Sequence, residues 1–167
     1  GLPVKHFVAA TNSNDTVVRY LKTEKYEPKP SVATISNAMD VGNPSNFVRI
    51  QQLFDNNFQT LKDKFTAYSY TDPQTKEAMS QVFKDSGYIT DPHGAIGYLG
   101  LKEYSLDTNE YGVFLETAHP VKFLDIVENT LDTTVAIPSQ IQKVIDKKKH
   151  SITINSYEEL KKFLLSS

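Results

Sequence analysis

"VKHFVAATNSNDTVVRYLKT", residues 4–23, decides how the rest of the chain is read. Its first seven residues form a short, partly β-branched run bounded by Pro3 and the polar stretch at 11–15, which suits a buried strand. "DTVVRYLKT" then has helical spacing. Asn12 or Asn14 stands where a cap is needed, and Asp15 falls in the first turn, where a negative side chain meets the positive end of the helix dipole.

The alternation continues. "KFTAYSYT" (64–71) reads as a strand, and Thr71 or Asp72 followed by Pro73 opens a helix that Gly87 stops. "YIT" (88–90) is a short strand or turn, and a helix follows from about Gly94 to Ser105. "YGVFLET" (111–117) carries the strongest strand pattern in the chain. Pro44 precedes a helix whose Phe47, Ile50, Leu53 and Phe54 share one apolar face, and Pro120 opens "PVKFLDIVENTL". Further helices are expected at about 139–149 and 156–166, the latter with a Ser156/Glu159 capping box. Strands alternating with helices predict an α/β three-layer sandwich with a mostly parallel sheet. No linker interrupts it, so residues 1–167 are expected to form one domain.

Composition narrows the function. A formal charge of −2 leaves no basic face for nucleic acid, and "DKKKH" (146–150) reads as solvated surface. No stretch of about 18 apolar residues is present to span a membrane. With no cysteine there is no disulfide, thiolate metal site or cysteine nucleophile, which fits a reducing, cytoplasmic setting. "GLPVKHFVAA" has neither an initiator Met nor the charged start of a signal peptide, and it reads as a strand entered in mid-protein. The chain is therefore expected to be a piece of a longer one.

Ligands of open α/β sheets bind beyond the carboxyl ends of strands, near helix N-termini. Three polar clusters fall at such places: "ATNSNDT" (10–16), "DPHGA" (91–95) and "ETAHP" (116–120). A fourth stretch, "TISNAMDVGNPSN" (34–46), is dense in asparagine and hydroxyl side chains, as either a solvated loop or a polar pocket would be. His93 and His119, near Asp91 and Glu116, lack regular metal-ligand spacing and read as helix caps. A triad of Ser36, His119 and Asp91 lacks a "GxSxG" elbow, and no Gly-rich phosphate loop is present. Thr117 has two readings. It caps the "HPVKF" segment, or its neutral hydroxyl faces the nitrogen of a pyridine ring and keeps that nitrogen unprotonated.

These motifs together, "GLPVKHFVAATNSNDTVVRYL", "TISNAMDVGNPSNF", "DPHGAIGY" and "YGVFLETAHPVKF", resemble in order and spacing the carboxyl-terminal part of threonine synthase. The resemblance runs from residue 1 to about 131 and more loosely beyond. It implies a pyridoxal 5'-phosphate (PLP) enzyme of the tryptophan-synthase-β-like fold (fold type II), truncated on its N-terminal side. The implied reaction turns O-phospho-L-homoserine and water into L-threonine and phosphate, by proton removal at Cα and Cβ, loss of phosphate and addition of water. Thr117 matches the hydroxyl partner of the pyridine nitrogen. Asn12, Asp15, Ser36, Asn37, Asp40, Asn46, Asp91 and His93 match segments that line the substrate cleft, and Arg49 is a further candidate for an anionic group.

No catalytic residue is implied within this chain. The Schiff-base lysine and the phosphate cradle are expected upstream of Gly1, in a missing N-terminal portion that is the implied partner. Lys84 in "VFKDSG" imitates the lysine motif but lies after "NAMD" rather than before it. The isolated chain is accordingly expected to be inactive, with very weak hold on PLP. Threonine dehydratase, or a non-catalytic binding module of the same fold, are the alternatives.

Overall fold

A computed structural model of the chain describes residues 2–166. Gly1, which opens the first motif, and Ser167, which closes the last helical run, lie outside the described residues. Two compact units are present, one ending at Val135 and the other beginning at Ala136.

In the first unit, β1 (Phe7–Thr11) and β2 (Phe65–Ser69) form a parallel pair in the register Phe7 to Phe65 through Thr11 to Ser69. Between them run α1 (Thr16–Thr23), α2 (Phe47–Leu53) and α3 (Phe58–Lys64). Beyond β2 come α4 (Asp72–Ser86), α5 (Pro92–Tyr104), a short 3-10 turn (Pro120–Phe123) and α6 (Leu124–Leu131). The architecture is α/β with a small parallel sheet. Among the described residues, only β1 and β2 are hydrogen-bonded strands.

Two apolar cores hold the unit together. Tyr20 and Leu21 of α1 meet Phe47 of α2 and Leu61 of α3, with Phe65 and Ala67 of β2 packed against them. Ala78 and Met79 of α4 meet Ala95 of α5, Phe123, Val127 of α6 and Val135. Helix α5 lies so close to β1 that a Cβ at Gly100 would sit 2.8 Å from that of Ala10. Local signals set the ends of α4. Thr71 and Gln74 form a reciprocal capping box, with Pro73 in the first turn, and Gly87 ends the helix with φ at 69°.

Several expectations are corrected. The cap of α1 is Asp15, which makes no side-chain capping bond, while Asn12 and Asn14 are drawn into a separate network. Leu53 does not join the apolar face of α2 but is 80% exposed. Residues 88–90 are not a strand. "YGVFLET" is not one either, although its period-two alternation is real. Gly112 packs against Leu101, Phe114 against Gly97 and Glu116 against Gly94, so the segment runs antiparallel along α5. Tyr111, Val113 and Leu115 point away and are 97%, 81% and 74% exposed. Alternation makes a segment extended, but a ladder also needs a neighbouring strand, and none among the described residues pairs with it.

In the second unit, α7 covers Ser139–Gln142 and α8 covers Tyr157–Leu165. The helix predicted to run to 149 therefore stops after one turn, and isolated turns such as Val144 N–H to Ile141 O follow. Ser156 accepts the Glu159 N–H as a cap should. Glu159 accepts from Asn155 N–H rather than closing the box on Ser156.

Candidate functional site

The turn after β1 and the start of "TISNAMD" form one polar knot. Asn12, 6% exposed, shares its two amide hydrogens among Thr34 Oγ1, Ser36 Oγ and Asp40 Oδ1, each at 3.0 Å. Its carbonyl accepts from the backbone and side-chain nitrogens of Asn14, both at 2.9 Å. Asp40 also accepts from Thr34 through Oγ1–H at 2.7 Å and N–H at 2.9 Å. Burying this many polar atoms is tolerable only because each finds a partner. Ile35 N–H donates to Asp72 Oδ1 at the head of α4, which ties the knot to the next layer.

Other predicted members stand apart. Asp15 pairs with Arg19 at 2.9 Å, one helical turn along α1. Asn37 and Asn46 are exposed, and Asn46 precedes α2 without a side-chain capping bond. Arg49 is exposed on α2, and Lys84 is exposed in the last turn of α4, where a cation complements the helix dipole. A groove of about 540 Å³ lies along β2 and α1, and of the predicted residues only Asp15 lines it.

A second polar cluster forms at the head of α5. Asp91 is its N-cap and is fully buried, accepting from His93 N–H at 2.7 Å and pairing with His93 Nδ1 at 2.9 Å through Oδ1. The His93 ring also lies 5.0 Å from Phe123. Buried Thr90 donates to Glu116 Oε1, and the Glu116 carboxyl lies close enough to that of Asp91 for each to act on the other's proton affinity. Glu116 as a residue is exposed, yet its carboxyl is turned inward over Gly94, where any Cβ would overlap it. That carboxyl's surroundings set its proton affinity. Burial pushes its pKa up to about 7; the Thr90 hydrogen bond pulls down, and the Asp91 carboxyl pushes up again. For Asp91 burial works upward too, but the His93 ring, Glu116 and His93 N–H together hold it below the ordinary value. Among the described residues, no three histidine or carboxylate side chains are placed to share a metal ion.

Thr117 follows directly. It is exposed, and its hydroxyl makes no hydrogen bond to any described residue. The cap of the 3-10 turn is His119, whose Nδ1 accepts Val121 N–H at 3.1 Å. The capping reading of Thr117 is thereby removed.

The predicted residues thus fall into two clusters, Asn12–Ser36–Asp40 and Asp91–His93, and no hydrogen bond joins the two among the described residues. Thr90 was not singled out by the sequence, and Glu116 was weighed there only as a metal ligand beside His93 and His119. The signal was faint: a threonine just before the capping Asp91, and a glutamate at an inward position of an alternating segment.

The fold recurs in solved structures. The Escherichia coli threonine synthase structure superposes with a TM-score of 0.88 at 39% identity, over 99% of this chain and 38% of that one. A PLP-bound threonine synthase from Brucella melitensis gives 0.80 at 25% identity, over 98% of this chain and 40% of that one. In sequence, residues 94–164 match the family described as "Threonine synthase, C-terminal". Threonine synthase of Buchnera aphidicola subsp. Acyrthosiphon pisum is 45% identical over 166 residues, which are 99% of this chain and 38% of that protein. The chain therefore has the sequence and the fold of the carboxyl-terminal part of the threonine synthase family. It spans about 38% of the length of that relative. No described helix is long and apolar enough to cross a membrane.

Proposed function

We propose that the chain serves as the carboxyl-terminal part of a cytoplasmic threonine synthase, which converts O-phospho-L-homoserine and water to L-threonine and phosphate. PLP, when bound, supplies an electron sink for carbanionic character on the substrate. Thr117 is the residue that meets it, and its unpartnered hydroxyl is the observation that carries this reading. A neutral hydroxyl donates to a pyridine nitrogen without protonating it, where a carboxylic acid would hold it as the cation. The Asn12–Asp40 knot and the Asp91–His93 pair shape the polar loops around the substrate, with Asn37 and Asn46 free at the surface to reach its phosphate.

The rest of the machinery is assigned to a partner segment, because the family resemblance sets the Schiff-base lysine and phosphate cradle ahead of the motifs present here. By itself the chain is proposed to be inactive and to hold PLP only weakly. An absorbance band of protein-bound PLP, near-stoichiometric after desalting, would contradict that.

The test of function is a chimera in which this chain replaces the matching part of Escherichia coli threonine synthase. Phosphate release from O-phospho-L-homoserine, with threonine formed in equal amount, is the expected result. A chimera that folds and binds PLP but releases no phosphate would sink the assignment.

A further inference from the structure

We propose that Glu116, held by Thr90 over Gly94 and facing Asp91, is the positioning residue that sets Thr117. The purpose rests on the reading of Thr117 given above; the geometry does not. Oδ1 of Asp91 is served twice by His93, whereas Oδ2 is buried and has no donor while Glu116 is ionised. The single hydroxyl hydrogen of Thr90 likewise faces two acceptors, the Asp91 carbonyl at 3.0 Å and Glu116 Oε1. Two carboxylates and one hydroxyl are therefore short of hydrogens. One proton on Glu116 lets it donate to Asp91 and removes the charge repulsion between them. The bare α-carbon of Gly94 leaves the room for this carboxyl.

Glu116 is also the last inward residue of the segment lying along α5. Thr117 comes next, and then Ala118 packs against the core of Met79, Ala95 and Val127, and His119 caps the following turn. The backbone of Thr117 is thus pinned on both sides while its own hydroxyl stays uncommitted. Ionising Glu116 loosens the upstream pin. The titratable groups facing it are Asp91, His93 and Tyr88; burial, with the Glu116 and Asp91 charges, holds the Tyr88 phenol un-ionised.

The experiment follows the Glu116 side-chain carboxyl carbon and the Thr117 amide by NMR in the full chain, from the ordinary carboxyl value of 4.5 to above 7. The variants are Glu116→Gln, Glu116→Ala and Asp91→Asn. The expected result is a Glu116 midpoint near 7, with the Thr117 amide moving at the same midpoint. Glu116→Gln, neutral and still a donor, should hold the Thr117 amide at its low-pH position throughout. Glu116→Ala should displace it at every pH, and Asp91→Asn should lower the Glu116 midpoint. A Glu116 midpoint near 4.5, or a Thr117 amide that ignores the titration or is as displaced by Gln as by Ala, overturns the proposal. Should the alanine variant not fold, the wild-type titration and the glutamine variant still decide. The cofactor reading fails separately, if Thr117→Val in the chimera keeps full activity.

Discussion

The side-chain amide of Asn12 donates to Asp40 Oδ1 at 3.0 Å across 28 residues of sequence, and so joins the tip of β1 to the polar stretch that follows α1. Asp40 acts only as an acceptor there, taking hydrogens from Asn12, Asn14 and Thr34. Asn12→Ala should lower stability by about 1–3 kcal/mol, the cost of leaving buried partners unserved. Asp40→Asn should cost a similar amount despite its identical shape, because one carboxylate oxygen becomes a donor aimed at donors. Urea unfolding of the chain checks both, and an unchanged midpoint for Asp40→Asn would show the knot to be slack.

Gly94→Ala tests the space over α5. The new methyl overlaps the Glu116 carboxyl, a side-chain end that can yield only by leaving Thr90 and Asp91. The variant should fold, with the Glu116 titration falling from near 7 toward 4.5 as its carboxyl returns to water.

The pH dependence of stability carries a sign. Glu116 binds its proton more tightly when folded, so its contribution is complete below 4.5, declines as pH rises toward 7 and is gone above that. His6 runs the other way: burial, helped by Lys64, lowers its pKa below 6.5, so stability drops as pH falls through that region. The measured quantity is therefore the difference between wild type and Glu116→Gln, in which His6 cancels. That difference should favour wild type most at low pH and shrink on the way to pH 7. A difference that grows with pH would mean Glu116 is ionised in the folded state.

Met79 is fully buried in the core between α4, α5 and α6. Met79→Ala should cost about 2–5 kcal/mol, the transfer and cavity terms together. Chemical denaturation measures it, and a cost under about 1 kcal/mol would show that the neighbours collapse into the space.

Thr117→Val should separate stability from function. An exposed hydroxyl without a protein partner contributes little to folding, so the unfolding midpoint should move by under about 0.5 kcal/mol. In the chimera, the same change should sharply lower phosphate release, while Thr117→Ser should retain most of it.

Local chemistry was legible before any coordinates. Thr71 or Asp72 followed by Pro73, and Gly87 as a left-handed stop, marked the ends of α4 in the sequence; that Thr71 is the cap, boxed with Gln74, came from the structure. The start of α5 was placed only at about Gly94, whereas the structure begins the helix at Pro92 with Asp91 as its cap. The "YGVFLET" segment shows where such reading stops. Its alternation fixes which residues face inward, and 112, 114 and 116 do face α5, but a strand is a property of two segments and the partner is not written in the one.

By itself, the sequence determined the element boundaries that depend on neighbours within a turn or two, the α/β class, and the family through motifs held in order. Tertiary structure alone decided which polar groups meet: Asn12 with Asp40, and Glu116 with Thr90 over Gly94. The reason is physical. Capping and periodicity act over the few residues a single backbone conformation spans, whereas the proton affinity of a carboxyl depends on burial and on charges that arrive from elsewhere in the chain. Those become defined only when α5 and the extended segment close on each other over Gly94.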